Sequence, residues 1–265
     1  MQMNILAIIG EQTWGASGTQ ANSSLLEYAG LAGASLLALA FVIATVRAIA
    51  RHKRYRAAKS FDIVDIEAVR LAIAAAEKKT VGEILPVVVE RSDPHPGAPW
   101  ISALVMLLTG SVLLAGYLPW DQPGWLLACQ IALGAVGYSI ARALPDLNRL
   151  FVSEERATAV ASEQAFQEFY ANGLHKTEAG TGVLLFVSLF ERRVIVMGDT
   201  GINAVVKPED WENTDKAILE GVRAGSLRSG LIKGVESAGA LLAEHFPWTD
   251  GDRNEIPDRV IVRRE

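Results

Sequence analysis

Cysteine is nearly absent from this chain of 265 residues, in which Cys129 stands alone. No disulfide can form within the chain, and no cysteine cluster can hold a metal ion. Histidine is also sparse, and the four residues His52, His95, His175 and His245 follow no metal-binding spacing. The sequence contains no phosphate-binding glycine loop, no His-Glu-x-x-His motif and no Gly-x-Ser-x-Gly motif. The common signatures of nucleotide hydrolysis, zinc proteolysis and serine hydrolysis are therefore missing.

Charge is missing from almost all of two long apolar stretches, Trp100 to Leu118 and Trp125 to Leu144. Each is about as long as a helix that crosses roughly 30 Å of hydrocarbon, and only a short loop joins them. A third apolar stretch lies upstream. We therefore predict three transmembrane helices, one at 25–50 and a helical hairpin at 99–144. The alternative is that these stretches are core helices of a soluble protein, but three such runs are rare outside membranes.

The distribution of basic residues predicts how the chain crosses the membrane. A basic cluster without acidic residues follows the first span and consists of Arg47, Arg51, Lys53, Arg54, Arg56 and Lys59. Because cytoplasmic flanks of membrane spans are rich in Lys and Arg, residues 1–24 should form an external tail and the remaining soluble part should be cytoplasmic. The cluster either only sets the topology or also contacts anionic lipid. The net charge of −5 argues against nucleic acid as a partner.

The soluble part of the chain reads as one domain, 60–97 and 150–258, which the hairpin divides. Apolar periodicity predicts the order helix, strand, hairpin, helix, strand, strand, helix, helix, with a short strand possible at 259–263. This order favours an α/β fold with a small mixed β-sheet and helices on both faces. Pro86 lies in the first strand and cannot donate to a neighbour, so that strand is expected at an edge of the sheet.

The loop Gly198 to Gly201 is the first candidate site. Asp199 and Thr200 offer oxygen ligands that a hard divalent cation such as calcium prefers, and Glu83 could assist. The alternative is a turn in which glycine supplies positive φ and Asp199 makes a local side-chain bond. Asp199 is thus the candidate metal ligand.

Two further segments carry weaker signals. His175 could act as an acid or base near neutral pH, or could simply interact with the carboxyl end of a helix. Residues 250–254 begin like a calcium loop, but Glu255 replaces the glycine of the sharp turn, and Ile261 stands where the bidentate Glu belongs. We read 250–254 as a solvated segment. Arg192 or Arg193 could form a surface ion pair with Glu191 or Glu83.

Several segments resemble TPM-domain proteins. They are Thr80 to Val89, Thr181 to Ser188, Arg192 to Val194, Gly198 to Ile202, Arg223 to Gly225, Gly230 to Leu231 and His245 to Pro247. The resemblance covers most of 60–97 and 150–258. Within the family, the sequence most resembles bacterial TPM proteins that carry a membrane hairpin inside the domain. In many relatives the segment equivalent to 198–202 is a Gly-Tyr-Gly-Leu-Glu-like stretch. Here the closing Glu is absent.

The resemblance implies a small α/β/α sandwich around a mixed sheet. TPM-domain proteins include a plant thylakoid protein reported as an acid phosphatase, a photosystem II repair factor and an animal receptor accessory subunit, and some bind calcium. We therefore expect a cytoplasmic domain held at the bacterial inner membrane, contacting lipid and another membrane protein as a non-enzymatic accessory or quality-control partner. The alternative is a metal-assisted (acid) phosphatase in which Asp199 binds the metal and Glu83 or His175 assists.

Overall fold

A computed structural model of the chain describes residues 36, 39–47, 49, 63–118 and 120–263. The predicted external tail and most of the first predicted span lie outside these residues, although residues 39–47 are helical. The chain divides into two compact units. One consists of Met1–Ile43 and Ala103–Gly137, and the other consists of Ala44–Ser102 and Tyr138–Glu265. The second unit contains the β-sheet.

The described elements follow the predicted order. They are α1 (Ile63–Glu77), β1 (Glu83–Val89), α2 (Gly97–Leu113), α3 (Pro123–Ala143), α4 (Pro145–Arg149), α5 (Glu154–Ala171), β2 (Gly182–Ser188), β3 (Arg193–Gly198), α6 (Thr200–Asn203), α7 (Glu212–Arg223), α8 (Leu227–His245) and β4 (Ile261–Arg263). Short 3-10 helices occupy Leu174–Lys176 and Pro208–Trp211. The short helices α4 and α6 were not expected, because four or five residues carry no readable period.

The four strands form one mixed sheet in the order β3-β2-β1-β4. β1 is parallel to β2 and to β4, and β2 is antiparallel to β3. Alternate side chains of β1 and β2 enter two separate clusters, one shared with α1, α7 and α8 and the other with α5. Every residue of both strands is buried, as is usual for parallel strands covered on both faces. The predicted mixed α/β fold with helices on both faces is confirmed.

The expectation that Pro86 marks an edge strand is wrong, since β1 lies between β2 and β4. The reason is that β4 is short and pairs only with Val87–Val89. Successive backbone N–H groups of β1 point alternately towards β2 and β4, and the nitrogen of Pro86 points towards β4. Pro86 precedes Val87, where the pairing with β4 begins. On that same side, the Ile84 N–H donates to the Glu77 carboxylate instead of a strand (2.8 Å). The first half of β1 is therefore locally an edge, and the proline costs no ladder bond.

Local sequence signals define several helix ends. Ser153 caps α5 by accepting a hydrogen bond from Arg156 N (3.1 Å), and Ser226 caps α8 by accepting one from Ser229 N (3.3 Å). Close packing of α7 on α8 depends on Gly221, where an added Cβ would lie 2.2 Å from the Cα of Gly230. The two helices can thus approach at their backbones and cover one face of the sheet.

The hairpin helices expose most of their apolar surface. Among the described residues, α3 is the one helix long and apolar enough to cross a membrane, with 21 residues and 11% of its apolar window buried. α2 is also apolar but has 17 residues, although hydrogen bonds extend the helical turns to Leu118. Within the first unit, Gly110 faces Leu133, and Gly134 faces Leu107. The prediction of three transmembrane helices is therefore supported for α3 alone.

Glu77 predicts a pH dependence of stability. Burial raises its pKa to about 9, helped by the nearby charges of Glu83 and Asp258. A carboxyl group whose pKa is raised in the folded state stabilises the fold fully below its unfolded pKa and loses that contribution as pH rises. Glu77→Gln keeps an acceptor for the Ile84 amide and cannot ionise. We expect it to raise the free energy of unfolding near pH 8.5 by on the order of 1 kcal/mol.

The measurement is thermal or urea unfolding of the full chain in mild detergent between about pH 4.5 and 8.5. The gain should disappear towards the acidic end of that range, where Glu77 is protonated in both states. Glu67→Gln on the exposed face of α1 is the matched control and should give no gain at high pH. Equal pH slopes for the wild type and Glu77→Gln would contradict the prediction.

Candidate functional site

The carboxyl ends of β1 and β2 lie side by side where the chain leaves the sheet for α2. Val89 pairs with Ser188, and the pairing continues past both strands, since Phe190 N donates to Glu90 O (3.0 Å). Residues 90–96 then lead to α2. Ligands of open α/β sheets bind beyond the carboxyl ends of strands. The fold therefore favours this edge as the position of a functional site.

Glu191 is the centre of a buried polar cluster at this edge. Its side chain is fully buried directly after β2 and accepts hydrogen bonds from Ser92 N (3.1 Å) and from the Ser188 hydroxyl. Its other oxygen lies 2.7 Å from His95 Nε2. A buried carboxylate is tolerated only when polar partners surround it, and here two donors and the His95 ring converge. The carboxylate thus joins the segment between β1 and α2 to the turn between β2 and β3.

His95 is held in an unusual conformation. Its φ is +47°, a region that few residues other than glycine adopt. The ring is 4% exposed and lies 5.1 Å from the Phe190 ring, over which the Arg91 guanidinium sits at 4.5 Å. The His95 carbonyl accepts a hydrogen bond from Ala98 N (3.1 Å) at the start of α2. The position of the imidazole and the beginning of α2 are therefore fixed together.

Asp93 connects the buried cluster to a polar cleft. His95 Nδ1 lies 3.5 Å from Asp93 Oδ2, and the same oxygen accepts a hydrogen bond from Arg156 Nη2 (2.9 Å). Ser92, Asp93 and Arg156 line a cleft of about 190 Å³ beside α5. Glu191, His95 and Asp93 thus form a series that runs from the buried interior to an open surface.

Ion pairs surround this cluster. Arg149 is buried and binds Glu154 (2.8 Å), which also binds Arg193, while Arg192 binds Asp146. The expected pairing of Arg192 or Arg193 with Glu191 or Glu83 is wrong. The acidic partners lie instead on α4 and α5, which follow the hairpin and pack beside β3 in space rather than in sequence.

The arrangement can hold a proton between two carboxylates and can fasten the segment that enters α2. Sequence reasoning missed both His95 and Glu191. Ninety-six residues separate them, with both hairpin helices between, so no spacing rule connects them. A histidine between two prolines after a buried strand, and a glutamate directly after another, were the available signals.

The three residues predicted from sequence lie at the opposite edge of the sheet, around Gly182. Glu83 pairs with Gly182 in register, Asp199 N donates to Gly182 O (2.9 Å), and the Leu174 carbonyl beside His175 packs where a Gly182 side chain would project. Each is engaged in separate contacts. Glu83 accepts from Glu255 N (2.8 Å), while the His175 ring lies 4.7 Å from that of Tyr170. Burial raises the pKa of Glu83.

Asp199 acts as a local cap. Its carboxylate accepts a hydrogen bond from Thr200 N (2.7 Å) at the start of α6, as the turn interpretation of this loop expects. The same interpretation is wrong about Gly198 and Gly201, which do not have positive φ. They are required by space, because a Cβ on Gly201 would lie 2.3 Å from the Ala179 carbonyl oxygen.

The residues at this edge do not fit a divalent cation. In the part of the chain that the structure describes, no three His, Cys, Asp or Glu side chains converge to hold a metal ion. Asp199 directs one carboxylate oxygen to its own helix, and Glu83 directs its carboxylate to backbone amides. Metal binding by Asp199 stays a prediction that no convergence of ligands supports.

Comparison with known proteins finds a similarity over part of the chain. The TPM domain family model matches residues 146–241, from α4 into α8, so the match begins after the hairpin. The NMR structure of BA42 protein from the psychrophilic bacterium Bizionia argentinensis is similar at 22% sequence identity and a TM-score of 0.48, covering 76% of this chain and 94% of that one. No curated protein matches the chain.

Removing the Glu191 carboxylate should strongly destabilise the domain. Glu191→Ala leaves the Ser92 amide, the Ser188 hydroxyl and the His95 ring without their acceptor, which should cost about 2–4 kcal/mol. Chemical unfolding of the full chain in mild detergent measures the loss. Glu236→Ala, an exposed position within α8, should stay within about 0.5 kcal/mol of the wild type. Equal effects of the two substitutions would show that the Glu191 cluster contributes nothing to stability.

Paired substitutions at Asp199 separate a helix cap from a metal ligand. Asp199→Ala should cost about 1 kcal/mol of stability, while Asp199→Ser, which can still cap, should recover most of it. In the presence of divalent ions, both variants should hydrolyse phosphate esters at the same rate as the wild type. If the wild type shows no activity above a blank without protein, neither variant should show any. Loss of a metal-dependent activity in both variants would contradict the cap as the only role.

Proposed function

We propose that this protein is a membrane-anchored TPM domain that acts as a non-enzymatic accessory or quality-control partner of other membrane proteins. The hairpin of α2 and α3 crosses the bacterial inner membrane, and the TPM domain lies on its cytoplasmic side. The N-terminus lies outside. The partners are membrane lipid and another membrane protein.

The exposed apolar surface of α3 is the observation that carries the proposal. Side chains such as Leu127 and Ile131 are 58% and 61% exposed, whereas a core helix of a soluble protein would bury them. Exposed apolar patches larger than a few hundred Å² mark membrane or protein contacts. A lipid environment satisfies this surface, and the helix is long enough to cross the hydrocarbon.

Aromatic residues at the helix ends agree with such a placement. Trp100 in the first turn of α2 contacts Tyr138 near the end of α3, with ring centroids 4.9 Å apart. Tyr117, Trp120 and Trp125 lie at the opposite ends of the two helices and are exposed. The stretches between contain no aromatic residue. Tryptophan and tyrosine are enriched at both interfaces of a bilayer, which this pattern would match.

A protein partner is supported by an exposed aromatic face on α5. Phe166 and Tyr170 are 54% and 48% exposed, and their ring centroids lie 4.6 Å apart. Aromatic residues are enriched in protein interfaces because they bury large areas at low entropic cost. This face lies near the carboxyl end of α5, and we propose that it contacts the partner protein.

Membrane attachment has a direct test. The full-length chain should remain in the membrane pellet after alkaline carbonate extraction, because an apolar hairpin in hydrocarbon is not released by high pH or salt. A tag at the C-terminus should resist protease added to intact cells and become sensitive after lysis. Recovery of the chain in the soluble fraction, or cleavage of the tag in intact cells, would contradict the placement.

The accessory role requires a partner that depends on the aromatic face. The full chain, cross-linked in cells and purified in mild detergent, should retain a defined membrane protein that quantitative mass spectrometry identifies. Phe166→Ser with Tyr170→Ser should reduce its recovery at least about tenfold, the loss expected for two interface aromatics. Leu71→Ser, an equally exposed apolar position on α1, is the matched control. A chain that always purifies alone would contradict the proposal.

A further inference from the structure

We propose that His95 is a proton-dependent latch that fastens the start of the hairpin to the sheet and to α5. The latch consists of Glu191, His95 and Asp93, with Arg156 beyond Asp93. It is closed while both ring nitrogens of His95 carry a proton and opens when one proton is lost. This inference does not depend on the accessory role proposed above.

Hydrogen-bond accounting assigns the protons. Ser92 N and Ser188 donate to one oxygen of Glu191, and the other lies 2.7 Å from His95 Nε2. In the proposed closed state Glu191 is ionised and His95 Nε2 donates to it. A neutral ring would then present the lone pair of Nδ1 to Asp93 Oδ2 at 3.5 Å, and two acceptors would face each other. In the doubly protonated ring, each nitrogen presents an N–H group to a carboxylate oxygen. The proposed closed state therefore also has a proton on Nδ1, facing Asp93 Oδ2.

The charged groups around the ring come from several elements. Glu191 faces the ring from the turn between β2 and β3. Asp93 faces it from residues 90–96, the segment that also contains His95. Arg156 of α5 pairs with Asp93. Arg91, two residues after β1, lies over Phe190, which contacts the imidazole. Arg149, at the end of α4, and Glu154, at the start of α5, bind each other. The negative charges next to the ring thus come from Glu191 and Asp93.

The backbone gives the latch a mechanical consequence. The positive φ of His95 is unfavourable for a side chain other than glycine, and its contacts with Glu191 and Phe190 hold it there. The carbonyl of His95 begins α2 through Ala98 N. When Nδ1 loses its proton, the repulsion from Asp93 favours release of this conformation. The start of the hairpin then loosens from α5 and from the sheet.

Two amides report the state of the latch. Ser92 N is bonded to Glu191, and Ala98 N is bonded to the His95 carbonyl. We expect their hydrogen-exchange protection, corrected for intrinsic rates, to fall about tenfold between roughly pH 6 and pH 8.5, the range that contains histidine titration. The full chain is measured in lipid nanodiscs with a chelator present throughout. NMR titration of the His95 ring protons should follow the same curve as the Ser92 amide.

Variants separate the latch from a general effect of pH. His95→Gln should abolish the step. Asp93→Asn should also abolish it while keeping protection high, because an amide can donate to the neutral ring nitrogen. His175→Gln is the matched control and should keep the wild-type step.

Four results would overturn the proposal. The first is a wild-type protection that does not change with pH, and the second is a step that survives in Asp93→Asn. The third is a pH dependence of the His95 ring protons that differs from that of the Ser92 amide protection. This comparison uses the wild type and so does not require that His95→Gln folds. The fourth is a step that appears only when zinc replaces the chelator, since a metal ion would then bridge His95 and Asp93.

Discussion

The structure depends on one constraint: the apolar side chains of α2 and α3 must be removed from water, and the described residues leave most of the large ones exposed. Burial of apolar surface contributes about 25 cal/mol per Å², so a hairpin left in water would oppose folding of the whole chain. In the function proposed above, lipid covers this surface.

The helices α2 and α3 lie within the connection between β1 and β2, which the sheet needs in any case. β1 and β2 are parallel, and parallel neighbours require a long crossover, usually a helix. Here α5 serves as that helix and covers one face of the sheet, while α2 and α3 are placed between β1 and α5. Both strands therefore end at the edge from which the hairpin departs. The same edge holds Glu191 and His95, so the polar cluster and the start of the hairpin form one structure.

The sequence predicts the elements of this fold well because their signals are local. The apolar periods and the caps Ser153 and Ser226 are present in the structure. The position of β1 was mistaken because β4 is only three residues long and carries little signal. Pro86 correctly marks a missing hydrogen bond, but the strand next to it starts one residue later.

The candidate site was less predictable. A carboxylate between glycines predicts a cation site at Asp199. In the structure the glycines are required by close packing, and the carboxylate caps a helix. The contact between His95 and Glu191 joins residues on either side of the hairpin, and only the parallel pairing of β1 with β2 brings them together. No pattern within a single segment contains that information.

Cys129 allows the most direct test of the central claim, because it is the single cysteine and lies in α3 with a partly exposed side chain. In intact membranes, we expect Cys129 to resist a water-soluble maleimide, to react with a lipid-soluble one, and to react with both after denaturation in SDS. Lipid around α3 excludes the polar reagent and lowers thiolate formation. Rapid labelling by the water-soluble reagent while membranes remain intact would contradict the account, since water rather than lipid would then surround the hairpin.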